Sequence, residues 1–382
     1  MNRALEDKIP AALRKQARKF ANYHLFDMGK QAKIGQHLML SLISDAALAA
    51  QSPEQKAILL AGFTSDAVFH HLNSKVSVES AESMLNSFIS IRDVKLLRRR
   101  FGGRRFCVAI DFTDEMFYGD KGTFGVVGTK HKNGANYAFR FMTVNIVTPK
   151  GRFFLWAYPM HNRKETLWLL NKALMKIEEL GIGVHLLLLD REFNYTDALA
   201  LIGEKYHYII PADQDSKFRR YSYGKTLPAY CPDWQITNRE NETVSTQLVI
   251  LEERGHKYGY LTNLPKGFFG DDPFILSELY GKRWGIETAH RGEDKFRIPT
   301  TCKRAEVRYL FFVFSVLLYN LWVWINLFFF FGSETTGITI ALMKDLVKRI
   351  FEDFFLWLRQ PQKWFSFQAA GNWDERSFWQ LF

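Results

Sequence analysis

Three acidic residues follow or end segments that are expected to form regular structure. Asp111 follows the apolar run Cys-Val-Ala-Ile, Asp190 follows four leucines, and Glu287 ends the segment 280–287. We expect the first two on strands and the third on a helix. Three carboxylates delivered in this way can hold two divalent metal ions about 3.5–4 Å apart for in-line phosphoryl transfer. We therefore predict that Asp111, Asp190 and Glu287 are catalytic residues and metal ligands.

The segment that ends at Glu287 also carries a cation and two aromatic rings. On a continuous helix, Tyr280, Arg283 and Glu287 lie at positions i, i+3 and i+7, within roughly 60° of one another, so they share one face. Arg283 could then grip a phosphate with two parallel hydrogen bonds beside a metal ligand. Trp284 has two open roles, in the core or stacked on DNA. This combination suits an enzyme that cuts nucleic acid.

Each acidic residue also has an ordinary structural role open to it. Asp111 could face solvent on an alternating strand, and Asp190 could cap the following helix. Glu287 could pair with Arg283 or Arg291 as a surface salt bridge on a helix. The surface pairing leaves the two aromatic residues before Glu287 without a role. A single fold could bring all three acidic residues together at one site, which favours the catalytic interpretation.

The pattern Tyr-x2-Arg-x3-Glu, with Trp after the Arg and Asp-Arg-Glu-Phe at the second Asp, resembles the DDE transposases of bacterial and archaeal insertion sequences. The resemblance covers residues 100–330 in round numbers. The family's Lys falls at position 294, which is Asp294 here, while Lys295 follows one residue later. A helical step of about 100° moves Lys295 off the Glu287 face. Arg291 is then the alternative cation, unless a kink near Gly292 restores Lys295.

The resemblance implies a ribonuclease-H-like catalytic domain and two Mg²⁺ ions on Asp111, Asp190 and Glu287, with Mn²⁺ expected to substitute. It implies cleavage of element ends and strand transfer, with double-stranded DNA as partner (terminal inverted repeats and target) and a homodimer on paired ends. Hairpin-forming members hold an unstacked base, for which Trp234 is a candidate. The residues expected to bind DNA are Tyr280, Arg283, Trp284, Arg291 and Lys295.

Composition is compatible with this function without proving it. The 382 residues include 51 Lys and Arg against 40 Asp and Glu, a net charge of +11 that fits a polyanionic partner. The three cysteines are far apart and form no Cys-x2-Cys pair, which argues against a disulfide framework and a zinc ribbon. The first residues lack the apolar core of a secretory signal. We expect a cytoplasmic, nucleoid-associated protein.

The order of patterns along the chain predicts an α/β fold with three parts. Residues 1–100 read as a helical region that either binds DNA or serves as a packing or dimerisation appendage. Residues 101–332 alternate strands and helices as a ribonuclease-H-like mixed sheet flanked by helices would, with a β-rich insertion at about 213–270. Residues 333–382 read as a C-terminal helical tail.

The segment Tyr309–Phe331 offers a competing interpretation, because it contains no charge and is long enough to span a bilayer. Polar residues such as Asn320 and Asn326 interrupt it, and Leu-Tyr-Asn-Leu-Trp at 318–322 resembles the buried helix that follows the catalytic Glu in the family. We expect a core helix and no stable membrane association. The alternatives to a transposase are a nuclease of the same fold without strand transfer and a non-catalytic DNA-binding or membrane-associated protein.

Overall fold

The computed structural model describes residues 36–60, 65–103, 105–148, 151–269, 272–330 and 337–358, together with residues 19, 23 and 25. Within these ranges the side chains of residues 37–38, 58–60, 269, 284–289 and 350–358 are not described. The start of the predicted N-terminal region and much of the predicted C-terminal tail therefore lie outside the described residues.

The described elements before the sheet are all helices. Two of them begin at a serine, Ser77 and Ser90, whose side chain accepts a hydrogen bond from the backbone three residues later while that residue's side chain bonds back. Such reciprocal capping boxes mean that the local sequence determines where these helices start. The five helices are α1 (Gln36–Ala49), α2 (Pro53–Leu60), α3 (Ser65–Lys75), α4 (Val78–Phe88) and α5 (Ile91–Arg100).

Six strands then build the central part of the sheet. They are β1 (Phe106–Met116), β2 (Val126–Lys132), β3 (Ala135–Thr148), β4 (Gly151–Met160), β5 (Val184–Leu189) and β6 (Tyr208–Pro211). β1 pairs antiparallel with β3 and parallel with β5, which is parallel with β6. β2 pairs with the beginning of β3, and β4 pairs with the rest of it. The order β4-β3-β1-β5-β6 is that of a ribonuclease-H-like sheet.

Two helices connect the parallel strands. They are α6 (Thr166–Glu179), which precedes β5, and α7 (Thr196–Gly203), which precedes β6. α6 buries one apolar side, including Leu170 and Ile177, and packs against β3 and β4. A parallel pair requires such a crossover because its strands run in the same direction.

The β-rich insertion continues the same sheet. It contains helix α8 (Ser216–Ser222) and strands β7 (Ala229–Thr237), β8 (Thr243–Glu253) and β9 (His256–Thr262). β9 pairs antiparallel with β6, which gives the order β6-β9-β8-β7. The sequence pattern missed β7, which carries Pro232 inside an irregular stretch between Cys231 and Trp234. Proline lacks a ladder donor, and it is tolerated here because β7 is the edge strand.

The remaining described helices are α9 (Lys266–Phe269), α10 (Phe274–Gly281), α11 (Gly285–Asp294), α12 (Ala305–Phe329) and α13 (Ile340–Leu358). The predicted fold class is confirmed: a mixed sheet is flanked by helices, with a helical region before it and a β-rich insertion within it.

The apolar segment that raised the membrane alternative forms α12, in the interior of the fold. By length and composition it could cross a membrane, with a mean hydropathy of 1.9, and 83% of that stretch is buried within the protein. Asn320 Nδ2 donates to the Phe154 carbonyl and Asn320 Oδ1 accepts from the Phe154 amide, both at 2.8 Å. The Tyr309 hydroxyl donates to the Ala157 carbonyl at 2.7 Å. The helix therefore packs on β4 as a core helix, as predicted.

Candidate active site

Parallel pairing places two of the predicted catalytic residues side by side. Ile110 of β1 pairs with Leu189 of β5, so Asp111 and Asp190 come next along the two strands. Asp111 still belongs to β1, and Asp190 is the first residue after β5. The carboxyl ends of the strands are the usual location of active sites in open α/β sheets. The two aspartates lie at the carboxyl end of the parallel β1–β5 pairing, which ends at Ile110 and Leu189.

The sheet face that carries Asp111 is covered by α10. Ala109, two residues earlier on the same face, belongs to a small apolar cluster with Leu276 and Tyr280 of α10. Asp111 is only 8% exposed, so the solvent-facing alternative for this residue is wrong. The Asp190 side chain is 39% exposed. The site therefore combines one buried carboxylate with a neighbour that opens to solvent.

A single guanidinium joins the two aspartates. Arg283 Nη1 donates to Asp111 Oδ2 at 2.7 Å, and Arg283 Nη2 lies 3.7 Å from Asp190 Oδ1. The guanidinium carbon lies 5.1 Å from the centre of the Tyr280 ring, a cation–π contact. The Tyr280 hydroxyl is buried and makes no hydrogen bond of normal geometry within the described residues. Four of the predicted site residues thus converge.

Burial controls the protonation of this cluster. It raises the pKa of Asp111 to about 7, a shift that Arg283 opposes and Asp190 reinforces. Burial also raises the pKa of Tyr280, so its hydroxyl stays protonated and can donate to an anion. Arg283 is the main positive group that favours the ionised form of Asp111 against this burial. A further cation at the site would favour its charged form.

The prediction of one continuous helix from Tyr280 to Glu287 is wrong. α10 ends at Gly281, residues Lys282–Trp284 form a short 3-10 turn, and α11 starts at Gly285. The glycines on both sides of the turn lower helix propensity. Arg152 of β4 donates to the Lys282 carbonyl and so takes up a backbone acceptor at the break. Arg283 therefore lies on a joint between two helices rather than on a helix face.

Two predicted residues have their backbone, but not their side chains, within the described structure. Trp284 ends the 3-10 turn and Glu287 lies in the first turns of α11. α11 runs next to β1, the strand that carries Asp111. The roles of Glu287 as third carboxylate and of Trp284 as core or DNA-stacking residue stay predictions.

The cations beyond Glu287 do not lie as the helical phase predicted. α11 ends at Asp294, so Lys295 follows the helix and the angular argument for or against it does not apply. α11 is assigned as α-helix without interruption through Gly292, where a Cβ atom would lie 2.5 Å from the Tyr319 ring. Arg291 and Lys295 are both exposed. The close approach of α11 to α12 explains this glycine.

The unexpected carboxylate at position 294 has its own cation. Arg297 Nη2 lies 2.6 Å from Asp294 Oδ1, within one turn of the chain. Arg291 is therefore not needed to neutralise Asp294. Whether Arg291 or Lys295 contacts DNA stays a prediction.

A layer of contacts behind the aspartates escaped the sequence analysis. Arg140 on β3 makes two hydrogen bonds to Glu192, at 3.1 and 2.7 Å, and its Nε lies 3.2 Å from Asp114. The ring of Phe112 stacks on that of Phe193, with centroids 5.6 Å apart. These pairs tie the residues after Asp111 to those after Asp190. Only the Asp-Arg-Glu-Phe motif signalled this layer, because nothing in the sequence of β3 around Arg140 indicates a partner for it.

Trp234, the candidate for an unstacked base, does not offer an open ring. It is 6% exposed and contacts Tyr221 edge-on, while Lys217 Nζ lies 4.3 Å from its ring centre. The aromatic ring fills the space between β7 and α8. The Trp234 ring is covered in this structure, and its role in holding an unstacked base stays a prediction.

Two carboxylates of the site suit a hard divalent cation. Asp111 and Asp190 already converge on one cationic group, and carboxylate oxygens are the ligands that Mg²⁺ and Mn²⁺ take in proteins. Within the described residues, no group of three or more His, Cys, Asp or Glu side chains could hold a metal ion. The third predicted ligand, Glu287, is outside that set. The donor set fits the ion, and metal binding stays a prediction.

Comparison with solved structures gives a likeness for the fold. The chain is similar to the piggyBac transposase in a cryo-EM structure of its synaptic complex with hairpin DNA. The similarity covers 96% of this chain and 82% of that chain, with a TM-score of 0.54 and 10% sequence identity. No protein-family model and no curated protein sequence matches the chain. The fold is therefore transposase-like.

Proposed function

We propose that this protein is a DDE transposase that binds the ends of an insertion sequence, cleaves them and joins them to target DNA. The observation that carries the proposal is the convergence of Asp111 and Asp190 on Arg283 at one sheet edge. These residues lie in a fold that is similar to the fold of a transposase. A buried carboxylate beside an exposed one, with a cation and a tyrosine, suits phosphoryl transfer, which needs charge stabilisation more than covalent chemistry.

Each residue of the cluster has a distinct task in the proposed reaction. Asp111, Asp190 and, from α11, Glu287 would hold Mg²⁺, which supplies Lewis acidity for the attacking and leaving oxygens. Arg283 would bind a phosphate oxygen next to the scissile bond, and the Tyr280 hydroxyl would donate to the same group. α10 covers one side of the site and keeps water from Asp111.

An exposed basic ribbon supports DNA as the substrate. β2 and β3 form a hairpin whose tip, Asn133 and Gly134, has the positive φ angles of 52° and 81° that a tight hairpin turn requires. Lys130, His131 and Lys132 on this tip are all exposed. The hairpin pairs with the end of β1 beyond Asp111, so it projects from the edge of the proposed site. A two-stranded ribbon of this kind fits a DNA groove, and its lysines attract phosphates.

The test uses labelled duplexes from the DNA that flanks the protein's own gene, incubated with full-length protein and Mg²⁺ or Mn²⁺. Joined products that require a divalent ion and disappear in Asp190→Asn support the transposase. Nicks without joining indicate a nuclease of the same fold. Specific retention of the duplex without any cleavage would indicate a DNA-binding protein and would reject the catalytic proposal. The mass of the complex on paired ends tests the proposed homodimer.

A further inference from the structure

Arg283 occupies the same carboxylate oxygens that a metal ion would need. Its two terminal nitrogens lie 2.7 Å from Asp111 Oδ2 and 3.7 Å from Asp190 Oδ1. Its side chain is only 11% exposed, so solvent screens these contacts weakly. The guanidinium thus offsets part of the repulsion between two adjacent carboxylates.

A guanidinium and a divalent ion cannot share these oxygens. Arginine keeps its positive charge in proteins, so the site cannot make room for a metal by releasing a proton from Arg283. Two cations on the same side of one carboxylate repel each other strongly where water is excluded. A metal ion on Asp111 and Asp190 therefore requires Arg283 to move away.

The position of Arg283 in the chain allows such a movement. It lies on the short turn Lys282–Trp284 between α10 and α11, flanked by Gly281 and Gly285. A long side chain on such a joint can turn without moving a whole helix. A DNA phosphate could attract it, because phosphate accepts the forked donors of arginine as well as a carboxylate does.

We propose that Arg283 is an exchangeable counter-ion, which holds Asp111 and Asp190 together without DNA and passes to a backbone phosphate when DNA binds. This inference rests on the proposed function. DNA then releases the two carboxylates for metal binding, and metal binding releases Arg283 for DNA. Because coupling between two binding equilibria is reciprocal, each ligand strengthens the other by the same factor. The protein would load metal effectively only when its substrate is present.

The experiment measures Mn²⁺ binding, by the electron paramagnetic resonance signal of free Mn²⁺, to the full-length protein with and without duplex DNA. Without DNA, Arg283→Gln should bind Mn²⁺ more tightly than the wild type, by about 5- to 150-fold, the usual range of coupling between sites. DNA should tighten Mn²⁺ binding to the wild type by a similar factor and should have little effect on the variant.

Two control variants make the result specific. Arg163→Gln removes the same charge from a residue that pairs with Glu192 at 3.1 Å and not with either aspartate, so its Mn²⁺ affinity should not change. Arg283→Lys keeps the charge and should stay close to the wild type without DNA. Thermal unfolding of each variant identifies any loss of folding. If Arg283→Gln does not fold, the effect of DNA on Mn²⁺ affinity is compared between Arg283→Lys and the wild type.

The outcomes separate this inference from the proposed function. Asp190→Asn should lose most of the Mn²⁺ binding, so that more of the free-ion signal remains, which shows that the measurement reports this site. If that loss occurs but Arg283→Gln binds Mn²⁺ no better than the wild type, the counter-ion role is rejected and the proposed function stands. If the wild type binds no Mn²⁺ at this site with or without DNA, both are rejected.

Discussion

Two buried carboxylates with similar electrostatics occupy different surroundings in this molecule. Burial raises the pKa of Asp111 to about 7 and that of Glu293, on α11, to about 8. Asp111 accepts a hydrogen bond from Arg283 at 2.7 Å, whereas Glu293 has only an ion pair with Arg297 at 3.6 Å. Neither Glu293 oxygen has a hydrogen-bond partner within the described residues.

Asp111 and Glu293 differ in how close they lie to solvent. Asp111 lies next to Asp190, whose side chain is 39% exposed at the open edge of the sheet. Glu293 is 0% exposed and lies where α11 packs on α12. A raised pKa is common at functional sites, but buried structural pairs show it as well. In this fold, the carboxylate that lies beside the solvent-exposed Asp190 is the candidate for chemistry, and the enclosed one affects stability.

Loss of the open carboxylate should have the largest effect. Asp190→Asn should lower the rate of DNA cleavage by about 10³-fold or more, in the range found when a group that stabilises developing charge is removed. Single-turnover cleavage of a labelled duplex measures the rate. Glu293→Gln is the matched control, since it makes the same carboxyl-to-amide change at an enclosed position, and it should cleave at the wild-type rate. Equal losses of cleavage rate in Asp190→Asn and Glu293→Gln would contradict the assignment of one region to catalysis and the other to stability.

Replacement of the enclosed Glu293 carboxyl group should instead change the pH dependence of stability. The folded state holds a proton on Glu293 up to about pH 8, while an unfolded Glu releases it near its ordinary pKa of 4.5. The free energy of unfolding therefore falls as pH rises between these values, because the folded state binds more protons. Glu293→Gln lacks this loss and should exceed the wild type by about 2–4 kcal/mol at pH 9.

Urea unfolding of the wild type and of Glu293→Gln at pH 5 and pH 9 checks the direction of this pH dependence. The two proteins should be similar at pH 5, where Glu293 is protonated in the folded state and a glutamine replaces a neutral group of the same shape. A difference that does not grow with pH would show that Arg297 already keeps Glu293 charged in the folded protein.

A third buried polar group is fully hydrogen-bonded, and its loss should cost stability at every pH. Asn320 bonds both the amide and the carbonyl of Phe154 on β4, at 2.8 Å each. Asn320→Leu leaves these two buried backbone groups without partners and should lower the free energy of unfolding by about 2–3 kcal/mol. Urea unfolding measures the loss, and Mn²⁺ binding at the candidate site should be unchanged. An unchanged free energy of unfolding in Asn320→Leu would mean that water reaches the backbone of β4.

The sequence predicted the parts of the molecule that depend on local pattern. Apolar runs located β1 and β5, and the register of two parallel strands then brought Asp111 next to Asp190. The buried helix α12 followed from the polar residues that interrupt an apolar segment. Each of these rests on periodicity and on one pairing that the fold class already requires.

The parts that the sequence could not predict depend on contacts between distant segments. Arg140 and Glu192 are 52 positions apart, and neither has a local pattern that announces the pair. The break after Gly281 depends on a helix-ending turn that Arg152, 130 positions away, helps to hold. Strand β7 was hidden by Pro232, which only an edge position allows. Helical phase failed as a guide to Arg291 and Lys295 because the helix stops between them.

The smallest effects should come from those two exposed cations. Asp294 is already neutralised by Arg297 at 2.6 Å, so neither Arg291 nor Lys295 is required to offset it. Each should then act as a single phosphate contact at most, and each alanine variant should lower the slope of log affinity against log salt by about 1. Gel-shift titrations at several salt concentrations measure the slopes, with Lys303→Ala as an exposed control. A tenfold or larger loss for Arg291→Ala alone, independent of salt, would instead assign it a specific contact at the open edge.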